Sequence, residues 1–431
     1  MTAALEEMAC QICLSPLNTL GTPPTYVHPI QLATDGHQPA PVPVSQLDTV
    51  NRHCDFCGDP HPTWTLVGGE VTAIALGSAA GLVQNLGQAW ATCATCQTYI
   101  DDDRTEKVVD RAVQAFGLGD HPQVRERIEE LHQAFLTARR PGRTLITTTA
   151  WPATAITARE LPRVRDRIAR FYRGTDSLPT ALANAETRQE VAAGLDRAGL
   201  FWIDDDFTDL TEYAAEKPPD VTINRDLMPS TDGLIVWSRP VTPRQITAAS
   251  WTTTSDGWRL TNYRTIGGAL DGTPLQRLRE QVGWLAPMST LRVRDQHLLQ
   301  GEDPAAALVA TWLLVAQQAA NVTTARVDKA VRKSYARTNR TTPEVRIVRI
   351  GVNRGTRPSP ERSASGDPGR PQSSRFWVSG HWRNQPYGPG RALRRPVYIS
   401  PFLKGPDDVP IKLSTTVRML SSHSPKSKDQ N

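Results

Sequence analysis

Six cysteines fall as three Cys-x-x-Cys pairs, Cys10 with Cys13, Cys54 with Cys57, and Cys93 with Cys96. Two-residue spacing lets both thiolates of a pair reach one ion through a tight turn, and four such sulfurs close a tetrahedral shell around Zn2+. Cys54-Asp55-Phe56-Cys57-Gly58 has the form of a zinc knuckle, with Gly58 free to take the left-handed conformation the turn needs. Cys93-Ala94-Thr95-Cys96 opens a helical stretch, where free amides and the positive end of the helix dipole favour thiolates. Cys54, Cys57, Cys93 and Cys96 are therefore expected to form one structural zinc site of treble-clef or ribbon-like form. Cys10 and Cys13 lack further cysteine partners, so His28 and His37 are the expected completion of a second site, with His53 and His61 as alternatives. Both sets are closed, leaving no open position for an activated water.

A second kind of chemistry is suggested at the other end. From Arg326 onward there are 22 Lys and Arg against 7 Asp and Glu, whereas the first hundred residues hold one basic residue, Arg52. Basic segments of this kind neutralise phosphates, so a nucleic-acid partner, DNA or RNA, is expected for this third of the chain. The candidate contacts are Lys329, Arg332, Lys333, Arg337, Arg340, Arg383, Arg391, Arg394, Arg395 and Lys404. Aromatic residues alternate with arginines in His381-Trp382-Arg383-Asn384-Gln385-Pro386-Tyr387, which could stack on bases or pack into a sheet. A sharper reading makes His381, Arg383, Tyr387 and Arg391 a nuclease or toxin set, one moving a proton and another stabilising a pentavalent phosphate. A third leaves the chain a protein-protein adaptor. The sequence contains no GxxxxGK[ST], HExxH or GxSxG and no GxGxxG after a strand, so familiar nucleotide-dependent and hydrolytic chemistries are not indicated. The acidic run Asp204 to Asp206 with Asp209 reads as a solvated turn.

Stepping outward to the elements that must hold these groups, apolar residues at three- and four-residue spacing predict helices at about 101–139 (two), 159–172, 185–197, 274–284 and 304–322. The last is apolar and is expected to continue into a basic extension through Arg340. Gly233 to Val241, Ile246 to Thr254 and Gly257 to Thr265 are predicted strands of a small antiparallel sheet, with Ser255-Asp256-Gly257 at a hairpin turn. Glu344 to Val352 alternates Arg with Val or Ile as a strand does, which puts Arg346 and Arg349 on opposite faces. Gly36 to Ser45, rich in proline, is expected to be an extended spacer.

The segment Arg375 to Asp408, with a Gly-His-Trp-Arg-Asn-Gln-x-Tyr-Gly-Pro-Gly-Arg core, resembles the C-terminal part of uncharacterised proteins of actinobacteria and their mobile elements. Cys54 to Gly58, Ala89 to Cys96 and Met228 to Pro240 resemble the same family. That resemblance implies architecture and origin, and no catalytic residue. The chain is thus expected to be α+β, with a zinc-binding region (1–104), a helical domain (105–200), a mixed α+β domain (201–325) and a basic helix extension with a β-rich part (326–420). A flexible loop is expected at 353–374 and a disordered tail at 421–431. Lacking a basic-then-apolar leader and any apolar run of about 20 residues, it is expected in the cytoplasm and off the membrane.

Overall fold

The structure, a computed structural model, describes residues 7–20, 25–28, 36–69, 72–74, 83–85, 87–117, 119, 121–299, 303–317, 320–350, 376–378, 380–400 and 402–404. The expected loop at 353–374 and tail at 421–431 lie outside the described residues. The N-terminal part is built from short antiparallel pieces. β1 (Met8–Cys10) pairs with β4 (Pro41–Pro43), and β2 (Asn18–Leu20) with β3 (Thr25–Val27). β5 (Pro62–Val67) carries β8 (Ala89–Cys93) on one side and β9 (Thr144–Leu145) on the other, while β6 (Thr72–Ile74) pairs with β7 (Val83–Asn85). Helix α1 (Ala94–Asp101) starts directly after β8, and α2 (Thr105–Ala115) and α3 (Pro122–Thr137) pack back over the hairpin. A small core of Phe56, Leu66, Trp90, Val108 and Phe135 closes around the cysteines, with Trp90 and Phe135 stacked at 4.3 Å.

Next come α4 (Leu161–Arg173), α5 (Thr180–Ala183), α6 (Ala185–Arg197), β10 (Gly199–Ile203), α7 (Asp205–Glu216) and β11 (Val221–Ile223). The antiparallel run β12 (Gly233–Val241), β13 (Ile246–Thr254), β14 (Gly257–Thr265) follows, then α8 (Gly272–Gln281), β15 (Leu285–Arg294) and β16 (His297–Leu299), which pairs with β11. The last described elements are α9 (Ala306–Val315), β17 (Ala320–Ala325), α10 (Lys329–Arg337), β18 (Val345–Ile350), β19 (Phe376–Val378), β20 (His381–Tyr387), β21 (Leu393–Ile399) and β22 (Phe402–Lys404). The fold is mixed α+β.

Seven strands make one central sheet in the order β15-β14-β13-β12-β10-β18-β17, parallel where β10 meets β12 and β18 and antiparallel elsewhere. Alternation along each strand sends neighbouring side chains to opposite faces, and both faces are covered. Leu200, Leu234, Val236, Tyr263 and Val345 pack with α4, α6, α8 and α10. Phe201, Ile235, Trp237, Trp251 and Val348 pack with α7, α9 and Tyr398 of β21.

Three expectations change. The apolar helix does not run on into the basic stretch: α9 ends at Val315, and Val322, Thr323 and Thr324, β-branched residues suited to a pleated edge, lie in β17 against β18. The basic residues therefore sit on a separate helix, α10. The proline-rich run is no spacer, since Pro41 to Pro43 form β4, an edge position where the missing N–H costs nothing. Finally, the sheet crosses the boundaries expected at 200 and 325, because Leu200 pairs with both Leu234 and Val345. The predicted strands at 233–265 are part of this larger sheet.

Candidate metal centre and basic hairpin

The knuckle at Cys54 is closed by backbone bonds: the Cys54 N–H donates to Asp59 O, and the Gly58 N–H to Cys54 O, with Gly58 at φ +73°. Asp55 ties this turn to β8, its N–H donating to Ala91 O while its carboxylate accepts from the Ala91 N–H at 2.5 Å. Cys93 is the N-cap of α1, its sulfur accepting from the Cys96 N–H at 3.5 Å. Knuckle, hairpin and helix thus bring the Sγ atoms of Cys54, Cys57, Cys93 and Cys96 within 4.8 Å of one another, all four residues buried. The order is that of a treble clef. Two negative charges about 4 Å apart repel by roughly 4 kcal/mol at an effective dielectric constant near 20, so four thiolates persist together only around a cation. The thiols show this tension. Burial, then the neighbouring sulfurs, push Cys54 far above the usual thiol range; hydrogen bonds from Cys54 and the other sulfurs hold Cys57 far below it.

The structure adds a partner that the sequence pattern did not reveal. Arg111 of α2 donates from Nε to Cys57 Sγ at 3.3 Å and from Nη2 to Asp59 at 2.7 Å. A guanidinium against a thiolate offsets part of the negative charge of a four-cysteine site and orients its ligand. No motif spacing announces this contact, because Arg111 lies 54 residues from Cys57 on an amphipathic helix.

Cys10, Cys13, His28 and His37 also converge, their ligand atoms within 4.8 Å. Cys10 Sγ lies 3.4 Å from His37 Nε2, and Cys13 Sγ 3.4 Å from His28 Nε2. Burial opposes a thiolate at Cys10, yet the N–H groups of Ala40 and Cys13 and the His28 ring bring its pKa down to about 5. The Ala40 N–H comes from the proline-rich run, which is why that run pairs with β1 rather than spanning a gap. His61 instead stacks on Trp151 at 5.0 Å and approaches Asp59, and His53 is exposed. Among the described residues these two sets are the clusters able to hold a metal ion. A set of four sulfurs and a set of two sulfurs with two imidazoles suit a tetrahedral divalent ion. Asp204 caps α7 through the Phe207 N–H, and Asp209 with Glu212 grips Arg239, so that acidic run is occupied in structural bonds.

The basic residues divide between the two faces of the sheet. On α10, Val331 and Tyr335 are buried against α4 and Lys329, Arg332, Lys333 and Arg337 are exposed, while Arg340, just beyond the helix, pairs with Asp166 at 3.2 Å over the Tyr335 ring. The hairpin β20-β21 sits on the opposite core. Trp382 packs edge-on against Tyr398 at 5.3 Å and donates its indole N–H to Ala214 O at 2.9 Å. Trp382 points inward, so alternation turns His381, Arg383, Gln385 and Tyr387 outward, opposite Ile399, Val397, Arg395 and Leu393. Arg383, Arg391, Arg394, Arg395 and Lys404 are exposed, and the Arg395 guanidinium lies over the Tyr387 ring. Arg346 and Arg349 lie apart, the first over Phe201 and the second 3.7 Å from Asp204.

This geometry divides the residues named for the nuclease reading. His381 begins a seven-residue strand that Tyr387 ends, and Arg391 lies in the turn beyond. At ~3.3 Å per residue the two ends stand about 20 Å apart, so His381 cannot share a phosphate with Tyr387 or Arg391. Arg383 alone lies near enough to His381.

The chain is mixed α+β, with two cysteine-containing sets able to hold a metal ion and an exposed basic hairpin. Residues 294–405, roughly a quarter of the chain, match the model of the AcrVA2-like family, described as the anti-CRISPR type V subtype A2 family. The matched span runs from the end of β15 to the end of β22 and takes in α9, α10 and the hairpin. No curated protein and no solved structure matches the chain. Among the described residues no helix is long and apolar enough to cross a membrane.

Proposed function

We propose that this protein is a zinc-stabilised binding protein of a mobile element, related in its C-terminal part to anti-CRISPR proteins, which engages nucleic acid through the outer face of β20-β21. The match to an anti-CRISPR family over residues 294–405, a span that includes the hairpin, supports the mobile-element setting. One observation carries the reading: Trp382 and Tyr398 anchor the hairpin from inside, freeing Arg383, Arg395 and Tyr387 to face outward, with Arg391 in the turn and Arg394 exposed near the start of β21 on the other side of the strand. Outward arginines with an aromatic ring serve phosphate contact and base stacking. The role is binding, and the ions are structural. In the setting the family description names, such a protein antagonises type V CRISPR immunity by occupying nucleic acid that the immune complex uses.

The test is retention of labelled single-stranded and duplex probes as salt is raised. About four phosphate contacts give a slope of log affinity against log salt near −3.6 on duplex and −2.8 on single strands. Replacing Arg383, Arg391, Arg394 and Arg395 together with Ala should flatten that slope to near zero while the chain stays folded. Equal retention of variant and wild type would sink the proposal. A second reading, docking of a protein, draws on the exposed apolar side chains Tyr387, Leu393 and Phe402. It would be favoured by a complex that survives nuclease treatment and is lost on Tyr387→Ala with Leu393→Ala.

A further inference from the structure

Arg264, on β14, is 5% exposed, yet among the described residues it has no carboxylate partner. Its guanidinium donates instead to neutral acceptors: Asp48 O at 3.1 Å, Thr149 O at 3.5 Å, Arg244 O at 3.3 Å and Thr49 Oγ1 at 3.4 Å. Three of these four lie beyond the 2.7–3.2 Å range of a well-made bond. The carboxylate of Asp48 is turned to Arg244, 3.7 Å away. A buried cation held only by dipoles costs several kcal/mol unless an anion joins it. Two more donors nearby add to the imbalance: the Trp151 indole N–H and the Thr154 hydroxyl are buried and unpartnered among the described residues, as is Arg264 Nε.

These groups adjoin a cavity of about 170 Å³, lined by Thr49, Ala150, Trp151, Ala153, Pro240, Gln245, Arg264 and Thr265. At about 30 Å³ for each water-sized group, the space takes five or six heavy atoms, as many as phosphate or a short carboxylate contains. Alanines, proline and the indole ring keep the surroundings apolar, which strengthens any charge-assisted bond formed inside. The planar guanidinium suits either oxyanion, because its fork matches two oxygens at once.

We propose that this cavity is a binding site for a small oxyanion, held by Arg264 and the Trp151 indole N–H. Its walls come from four segments: Thr49, just before the Cys54 knuckle; the 150–153 stretch; Pro240 and Gln245, of β12 and its turn to β13; and Arg264 with Thr265 of β14. An anion there braces the metal region against the sheet. Burial also draws the Arg264 guanidinium below the ordinary arginine range, with Asp48 partly restoring it, and a bound anion would reverse that depression.

The experiment follows thermal unfolding of the full-length, metal-loaded protein in titrations of phosphate and, separately, acetate, with chloride holding ionic strength constant. Binding predicts a melting temperature that rises with the logarithm of anion concentration above the dissociation constant, the apparent folding constant growing about 100-fold when the anion reaches about 100 times that constant. The phosphate and acetate arms tell which oxyanion is preferred. Arg264→Gln should abolish the response, and Trp151→Phe, which keeps the ring and removes the N–H, should weaken it at least several-fold. A response equal to that of chloride, or one unchanged in Arg264→Gln, would overturn the proposal. If Arg264→Gln does not fold, Trp151→Phe decides: an unaltered response there counts against the site.

Discussion

Replacing Cys57 with Ser tests how far the four-cysteine site carries its own surroundings. The cysteines are themselves members of the small core that includes Phe56, Leu66, Trp90, Val108 and Phe135, so the ion and the apolar packing are one structure. Structural zinc contributes about 10–16 kcal/mol in isolated zinc-finger peptides; even a third of that, ~4 kcal/mol, is a large part of the 5–15 kcal/mol that holds an ordinary domain. Serine offers a poor ligand and removes the acceptor that Arg111 Nε uses at 3.3 Å. Four kcal/mol is about three powers of ten in a local opening equilibrium. Amide exchange in α1, α2, α3 and β8 should therefore quicken about 1000-fold, while β12, β13 and β14, packed in the two sheet cores, stay protected. β5 should respond in part, because Leu66 belongs to the metal core while Trp64 belongs to the sheet core. If both ligand sets take zinc, as proposed, elemental analysis should find one ion per chain in the variant against two in the wild type. Retention of both ions, or loss of protection in β12 to β14 along with α1, would refute this reasoning.

Other perturbations probe the supports of the hairpin and the sheet. Trp382→Ala removes a half-buried ring and the bond to Ala214 O; about half the cost of a core Trp deletion is ~2 kcal/mol, and exchange in β20 and β21 should rise while melting of the whole chain moves little. Thr311→Val keeps shape but takes away the acceptor of the buried Trp237 indole N–H, 3.2 Å distant; leaving that donor unpaired costs about 1–3 kcal/mol, read as a fall in the denaturant midpoint. Gly194→Ala should cost a similar ~1–3 kcal/mol, because an added Cβ on α6 would lie 2.1 Å from Thr252 Oγ1 and force the helix off β13. A wild-type midpoint for either of these last two variants would contradict the packing described.

Local chemistry was the legible part of the sequence. Cys-x-x-Cys spacing declares a ligand pair within a few residues, and the two histidines named for the second site are those whose rings stand 3.4 Å from Cys10 and Cys13. The turn at Ser255-Asp256-Gly257 and the reversal at Gly388-Pro389-Gly390 were readable for the same reason, since turn residues act on their own backbone. Pairing between distant segments was not. Nothing near Leu200 says that it will lie beside Val345 in a parallel register, because parallel strands are joined by long connections whose length encodes no partner. β17 was obscured differently. It follows an apolar helix with no proline or glycine between, so the helical period appeared to continue, although Val322, Thr323 and Thr324 already favoured a strand.

The separation of the basic residues constrains what the surface can do. Charge counted along the sequence treats α10 and the hairpin as one patch, but Tyr335 is buried in one core and Tyr398 in the other, with the sheet between them. A single strand of nucleic acid tracking one groove would not meet both sets. Screening sharpens the point: at physiological salt the Debye length is about 8 Å, shorter than the span of a helix, a sheet and a second layer. A ligand of one set would therefore feel little of the other. Arg340 is already tied to Asp166, whereas Arg383 and Arg395 are exposed on the outward face of β20 and β21. Both sets lie within the span that matches the anti-CRISPR family, and the proposed contact is the hairpin's. Neutralising the exposed cations of α10, Lys329, Arg332, Lys333 and Arg337, should leave the salt slope set by the hairpin unchanged. A slope that fell equally with either set would mean that one ligand reaches around the sheet edge.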